Sequence, residues 1–126
     1  METSTVLATI NEYFDLMYDP DDAKFPNVFH ELCQVQGVRD GKLVAWSVAE
    51  FRELIRGRPS PAAMGSPRQQ EVISVDEISP DMVVAKVRVR IGQICFLDHL
   101  ISHKVEGRWL VTAKSFHVER VLPPGE

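Results

Sequence analysis

The apolar positions of this chain follow two rhythms, helical at the start and strand-like in the second half. Val6, Leu7, Ile10, Tyr13, Phe14 and Met17 recur at helical spacing behind Thr3 or Ser4 as candidate N-caps. That pattern predicts a first helix ending near Tyr18, where Asp19-Pro20-Asp21-Asp22 stops it. A shorter helical piece is expected over residues 23–30, limited by Pro26. Residues 32–39 then read as a strand, Asp40–Gly41 as a tight turn needing positive φ, and residues 42–46 as the returning strand. Ser47-Val48-Ala49-Glu50 has the form of a capping box. The helix it starts carries Val48, Phe51, Leu54 and Ile55 on one side and is expected to end at Gly57.

Residues 58–68 are rich in Pro, Ser, Gly and Ala and predict a loop. A mobile crossover is favoured there over a flap above a cavity mouth. From residue 69 onward the pattern is all strand: residues 70–78, a Ser79-Pro80-Asp81 turn, residues 82–91, a turn near Gly92, and a long hairpin about Glu106–Gly107. Helices first and four meandering strands last predict an α+β domain, its helices on one face of a curved, mostly antiparallel sheet.

The final hairpin is the most informative stretch. With Glu106 and Gly107 as a two-residue loop, Val105 pairs with Arg108, Ser102 with Val111, Asp98 with Ser115 and Phe96 with His117. One face then carries Phe96, Asp98, Leu100, Ser102, Lys104, Trp109, Val111, Ala113, Ser115 and His117. An acid and an imidazole on an otherwise apolar, small-residue face predict a pocket wall. The opposite face carries Leu97, His99, Ile101, His103, Val105, Leu110, Thr112 and Phe116, a half-apolar surface expected to be covered. A second copy packed sheet to sheet, giving a homodimer, is the economical cover.

Composition narrows the class without naming a function. The 126 residues fit one domain, with a core over 6–119 and a tail from 120 expected to fray. With 44% hydrophobic and 25% charged residues the chain is of ordinary globular type. A net charge of −4 argues against a nucleic-acid partner. The basic run Lys86, Arg88 and Arg90 alternates with Val87 and Val89, as on a solvated or partner-facing strand surface. No apolar run reaches bilayer length and nothing resembles a secretory signal, so no membrane partner is expected. Cys33 and Cys95 lack metal or redox spacing, and reduced buried thiols in a cytoplasmic protein are the expectation. His99 and His103 lie roughly 13 Å apart along a strand, too far to share a metal. No Ser–His–Asp signature, phosphate loop or dinucleotide fingerprint occurs, and no metal or cofactor is expected.

Asp98 is the sharpest candidate for chemistry, as a general base or as a neutral donor; the plainer reading is a structural aspartate bonded to Ser115 or Tyr13. His117 on the same face could carry a proton, and the Tyr13 hydroxyl could donate to an oxyanion. Phe14, Met17, Trp46, Phe96, Leu100, Trp109 and Ser115 are candidate ligand contacts. His30 is a further candidate at the helical side, or a satisfied packing histidine.

Several motifs carry a family resemblance. They are Phe29-His30 ahead of the first strand, the Asp40–Gly41 hairpin, the helix start from Ser47 to Phe51, and above all Glu106-Gly107-Arg108-Trp109 and Lys114-Ser115-Phe116-His117 behind Asp98. Over about residues 6–119 the chain resembles the nuclear transport factor 2-like superfamily, and within it the SnoaL-like group labelled "putative lumazine-binding". The resemblance implies a cone-shaped α+β fold of about three N-terminal helices and a curved sheet. The superfamily includes ketosteroid isomerases, scytalone dehydratases and polyketide cyclases, which use Asp, His and Tyr inside the cone, and also non-catalytic domains. This chain has His99 where the group often has an aromatic after the aspartate. The expected function is small-molecule binding in an apolar pocket with an Asp98/His117 pair capable of isomerase-, dehydratase- or cyclase-like chemistry. The alternative is a non-catalytic ligand-binding or dimeric interaction module.

Overall fold

The computed structural model describes residues 2–126, with side chains from Val6 onward. The elements are α1 (Glu2–Tyr18), a 3-10 turn (Asp22–Lys24), α2 (Phe25–Val28), β1 (Phe29–Arg39), β2 (Lys42–Ser47), α3 (Val48–Arg56), β3 (Gln70–Ser79), β4 (Met82–Ile91), β5 (Ile94–Val105) and β6 (Arg108–Val121). All six strands join one sheet in the order β2-β1-β6-β5-β4-β3. Every neighbouring pair is antiparallel except β1 and β6, which run parallel. The fold is α+β, as the order of rhythms predicts.

Helix α1 begins at Glu2, so the choice of Thr3 or Ser4 as its cap falls among residues whose side chains lie outside the described set. The helix buries Val6, Ile10, Tyr13, Leu16 and Met17 against the inner residues Val83, Ala85, Val87 and Val89 of β4, Leu100 of β5, and Trp109 and Val111 of β6. Each such side chain removed from water contributes on the order of 1.5–3 kcal/mol. Two polar ties fix the helix across the sheet. Thr9 Oγ1 donates to the Trp109 carbonyl at 3.0 Å, and Gln70 Nε2 donates to the Phe14 carbonyl at 2.7 Å.

The second helical piece is shorter than its composition suggests. α2 ends at Val28 because Phe29 is already extended (φ −108°, ψ 135°) and aligned with Val111, which draws His30 into β1. The capping box forms as predicted: Ser47 accepts from the Glu50 N–H, and Glu50 accepts from the Ser47 N–H. Both two-residue hairpin turns carry positive φ, 52° and 77° at Asp40–Gly41 and 51° and 79° at Glu106–Gly107, the combination that matches strand twist. The crossover after α3 is tied to the end of α1. Ala62 N–H donates to the Tyr18 carbonyl, Tyr18 Oη donates to the Ser66 carbonyl, and Arg68 pairs with Asp15.

The β5–β6 register departs from the sequence expectation at Thr112, and a second shift follows at Glu119, between the Phe96–Val118 and Cys95–Arg120 pairs. Pairing holds from Val105–Arg108 to Ser102–Val111, and then Ile101 faces Ala113, leaving Thr112 as an unpaired bulge. Because side chains alternate, the extra residue turns β6 over from Ala113 to Val118. Asp98 therefore faces Phe116 rather than Ser115, His117 faces Leu97, and Ser115 faces His99. His117 and Ser115 are exposed on the outer face, while Lys114 and Phe116 point inward. The bulge is anchored by Thr112 Oγ1, which lies 2.5 Å from His103 Nδ1 and donates to the Ile101 carbonyl at 3.3 Å.

At the other end β6 continues to Val121, and the chain beyond it is bonded to the β4–β5 turn. Leu122 N–H donates to the Gln93 carbonyl and Gln93 Nε2 to the Pro123 carbonyl, both at 2.7 Å. Among the described residues no helix is long and apolar enough to cross a membrane.

Candidate functional site

Three polar side chains from three elements converge beneath the helical layer. Tyr13 of α1, fully buried, donates its hydroxyl to Asp98 Oδ2 of β5 at 2.5 Å. Lys114 of β6, brought inward by the Thr112 bulge, places Nζ 3.9 Å from the same oxygen. That separation is an electrostatic contact rather than a hydrogen bond. The lysine is otherwise sandwiched, with Nζ 4.5 Å from the Phe51 ring centre, 5.0 Å from that of Tyr13, and 3.8 Å from Met17 Sδ. Asp98 Oδ1 is buried and has no hydrogen-bond partner.

The electrostatics follow from this burial. Desolvation, and then the Asp98 charge, hold the Tyr13 hydroxyl well above the usual tyrosine range, so it stays protonated and acts as donor. Burial lowers the Lys114 ammonium, an effect opposed by Asp98 and reinforced by Arg58. Burial pushes the nearby Cys33 thiol up to about 11. Asp98 is thus held at one oxygen and without a partner at the other.

Asp98 and Lys114 lie at the floor of a cavity of about 130 Å³ between α3, β2 and the ends of β4, β5 and β6. Aromatic rings form one wall. Trp46 and Phe116 stack with centroids 5.8 Å apart and planes 7° apart, and Phe96 meets Phe116 edge-on. Gly37 makes that stack possible: it is paired between β2 and β6, and a Cβ there would fall inside contact distance of the Phe116 ring. Arg39 and Arg58 complete the lining on the loop side. A wider depression of about 750 Å³ lies over Arg68, Arg88, Arg90 and Arg120. There Arg88 is paired with Glu71 and Glu119, and Arg90 is bonded to Gly92, Gln69 and Gln93. That depression has no buried polar atom in want of a partner, and the Asp98 cavity is the better candidate.

The sequence-derived residues fall into three groups. Asp98, Trp46, Met17 and Phe96 line the cavity, with Tyr13 bonded directly behind Asp98. Phe14, Leu100 and Trp109 are buried in the core and do not line it. His117 and Ser115 are on the outer face, so the expected Asp98–His117 pair does not come together; the reason is the bulge at Thr112. His30 also stands apart, in a groove with Phe25 and Leu110, where its Nδ1 accepts from the Leu32 N–H at 3.0 Å. Lys114, Phe116, Arg58 and Arg39 were missed. A signal for the first two exists in the chain: the apolar positions of β6 fall at Trp109 and Val111 and then at Phe116 and Val118, a change of phase that one inserted residue produces. Among the described residues no cluster of three or more His, Cys, Asp or Glu could hold a metal ion.

Comparison with known proteins places this geometry. A family model described as "Putative lumazine-binding" matches residues 1–117. No curated protein matches the chain. Among solved structures, an NTF-2 like protein of unknown function from Silicibacter pomeroyi superposes with a TM-score of 0.82 at 18% identity, covering 93% of this chain and 95% of that one. An NTF2-like protein of unknown function from Shewanella baltica gives 0.82 at 21% identity, with 94% of each chain covered. A ketosteroid isomerase-like protein from Erwinia carotovora gives 0.72 at 10% identity, covering 93% and 95%. At these identities the structural likenesses establish the fold alone. By the match over residues 1–117, the chain belongs to the family described as "Putative lumazine-binding", and its fold is that of the NTF2-like solved structures.

Proposed function

We propose that this domain binds a small organic molecule in the cavity above Asp98 and Lys114, and that Asp98 exchanges a proton with it. The observation that carries this reading is Asp98 Oδ1, a buried carboxylate oxygen left without a partner beside a void. An unsatisfied buried acceptor costs roughly 1–3 kcal/mol, more for a charged group, and a ligand donor at that atom recovers the loss. Tyr13 holds Oδ2 and fixes the carboxylate, so Oδ1 is the atom that meets the ligand. Proton removal beside a carbonyl is the matching reaction class, with Lys114 as the group that stabilises developing negative charge. This is the chemistry shared by isomerases, dehydratases and cyclases. His117 takes no part in it.

A second reading is binding without turnover. It is supported by the position of His117 on the outer face, which leaves Asp98 as the lone carboxylate or imidazole at the floor. A thermal-shift screen of small metabolites against wild type and Asp98→Asn tests the pocket; no stabilising compound at high concentration would sink it. For any compound that does bind, deuterium exchange at its acidic carbon separates the readings. Exchange catalysed by wild type and lost in Asp98→Asn supports catalysis, and binding with no exchange supports the second reading.

We further propose a homodimer through the outer sheet face, where Val84, Leu97 and Ile101 are half-buried and no helix covers them. The two buried, unpaired cysteines support a cytoplasmic protein.

A further inference from the structure

We infer that the ligand is a planar, single-ring molecule carrying a negative charge, its ring against the Trp46–Phe116 shelf and its anionic group at Arg58 and Arg39. The inference rests on the cavity being a binding site and adds the class of molecule it takes.

The charges around the cavity do not balance. Its lining contains Arg39, Arg58 and Lys114 against Asp98 alone. Asp98 faces Lys114, so the two arginines are left over. Among the described residues neither guanidinium meets a carboxylate: Arg39 lies over the Trp46 ring at 5.9 Å, and half-buried Arg58 has only its own backbone bonded. Acids are not scarce, since the chain has 18 Asp and Glu against 14 Lys and Arg. Elsewhere arginines find them: Arg56 pairs with Asp22 and Glu53, Arg68 with Asp15, and Arg88 with Glu71 and Glu119. Two arginines without acids at one cavity mouth, beside a third buried cation, make a field that an anion relieves. Burial also depresses Arg58, and the Arg39 charge adds to the effect. A guanidinium suits a carboxylate in particular, because its fork of donors matches two oxygens.

Size and shape fix the rest. About 130 Å³ is close to the roughly 150 Å³ of a cavity that admits benzene, so one ring fits inside, with its charged substituent reaching the open side. The stacked, nearly parallel Trp46 and Phe116 rings offer a flat aromatic surface. At the floor, Asp98 Oδ1 asks for a donor such as a ring hydroxyl. A hydroxylated aromatic carboxylate has all three features.

The test titrates 4-hydroxybenzoate and its uncharged counterpart 4-hydroxybenzamide into the full chain, by calorimetry and tryptophan quenching. The acid is expected to bind at least about tenfold more tightly than the amide, and Arg58→Gln to reduce that ratio to about twofold or less. Equal binding of the two compounds, or an unchanged ratio in Arg58→Gln, overturns the charge assignment and leaves the pocket standing. If neither binds while uncharged compounds from the thermal-shift screen do, the ligand class is wrong and the binding reading survives. If nothing binds in either experiment, both fall. The comparison of acid and amide on wild type needs no variant to fold.

Discussion

Asp98→Asn removes one charge from a buried pair while keeping the shape of the side chain and an oxygen for Tyr13. Asp98 and Lys114 are 2% and 6% exposed, so neither charge is screened by water. At 3.9 Å their attraction is about 4 kcal/mol for an effective dielectric of about 20. Desolvating the two groups costs several kcal/mol per ion, so the pair together is close to neutral for stability. Removing one partner is not neutral, because the ammonium is left buried between the Phe51 and Tyr13 rings with Met17 Sδ as its remaining contact. Broken buried pairs cost about 3–5 kcal/mol, and the retained Tyr13 bond puts this one near the lower figure, at about 3 kcal/mol. The double variant Asp98→Asn/Lys114→Met removes both charges at similar volume and is expected within about 1 kcal/mol of wild type.

Urea unfolding of all four members of the cycle, at constant m-value, is the assay. Lys114 has a folded pKa below its unfolded value, so its contribution to stability is present above the unfolded value of 10.5 and lost as pH falls through the folded value. The deficit of Asp98→Asn should therefore be greatest at neutral pH and shrink as pH rises toward that value, with no such slope when Lys114 is Met. An Asp98→Asn deficit under about 1 kcal/mol, or a double variant that loses the sum of the singles, would refute the assignment of Asp98 as counter-charge to Lys114.

Three further outcomes follow from the packing. Gly37→Ala drives a Cβ into the Phe116 ring and should cost about 1–3 kcal/mol while altering the near-ultraviolet circular dichroism of the Trp46 stack; an unchanged spectrum and melt would mean the ring is not held there. At pH 8 a thiol raised to about 11 has about a hundredfold less thiolate than one at 9.0, so buried Cys33 should resist iodoacetamide until the protein unfolds. Rapid native labelling at Cys33 contradicts its burial. Ile101→Glu, on the outer face opposite Val84 and Ala113, should turn a dimer into a monomer in sedimentation velocity; a wild-type chain that is monomeric at the concentrations used disposes of the interface.

Most elements were legible because their signals are local. The Asp40–Gly41 and Glu106–Gly107 turns, the Ser47–Glu50 capping box and the Asp19-Pro20 stop each act within a few residues, and each formed where the chain announced it. The site was less legible because its parts arrive by different routes. Asp98 and Tyr13 could be read from alternation and helical spacing. Lys114 could not, since its orientation depends on one bulged residue whose trace is a shift in apolar phase too short to outweigh regular alternation. Arg39 and Arg58 come from a strand end and a loop, where local pattern says nothing about what lies nearby. The parallel pairing of β1 with β6 is likewise a property of the whole sheet and of no single segment.

That pairing also orders the assembly of the molecule. β3 to β6 form three consecutive hairpins whose contacts close over short stretches of chain, whereas β1 meets β6 across roughly eighty positions, as in Gly37 aligned with Phe116. Helix α1 closes a longer loop still, with Thr9 bonded to the Trp109 carbonyl across 100 positions, so both contacts are recovered after the hairpins. Until β1 docks, β6 is an open strand edge able to recruit another chain, the stage at which this fold is most exposed to aggregation. The Trp46–Phe116 stack belongs to the β1–β6 step, so Trp46 fluorescence should report completion of the sheet, and Trp109 fluorescence the docking of α1. A molecule seated on that stack would act as a clasp on the closure of β1 against β6.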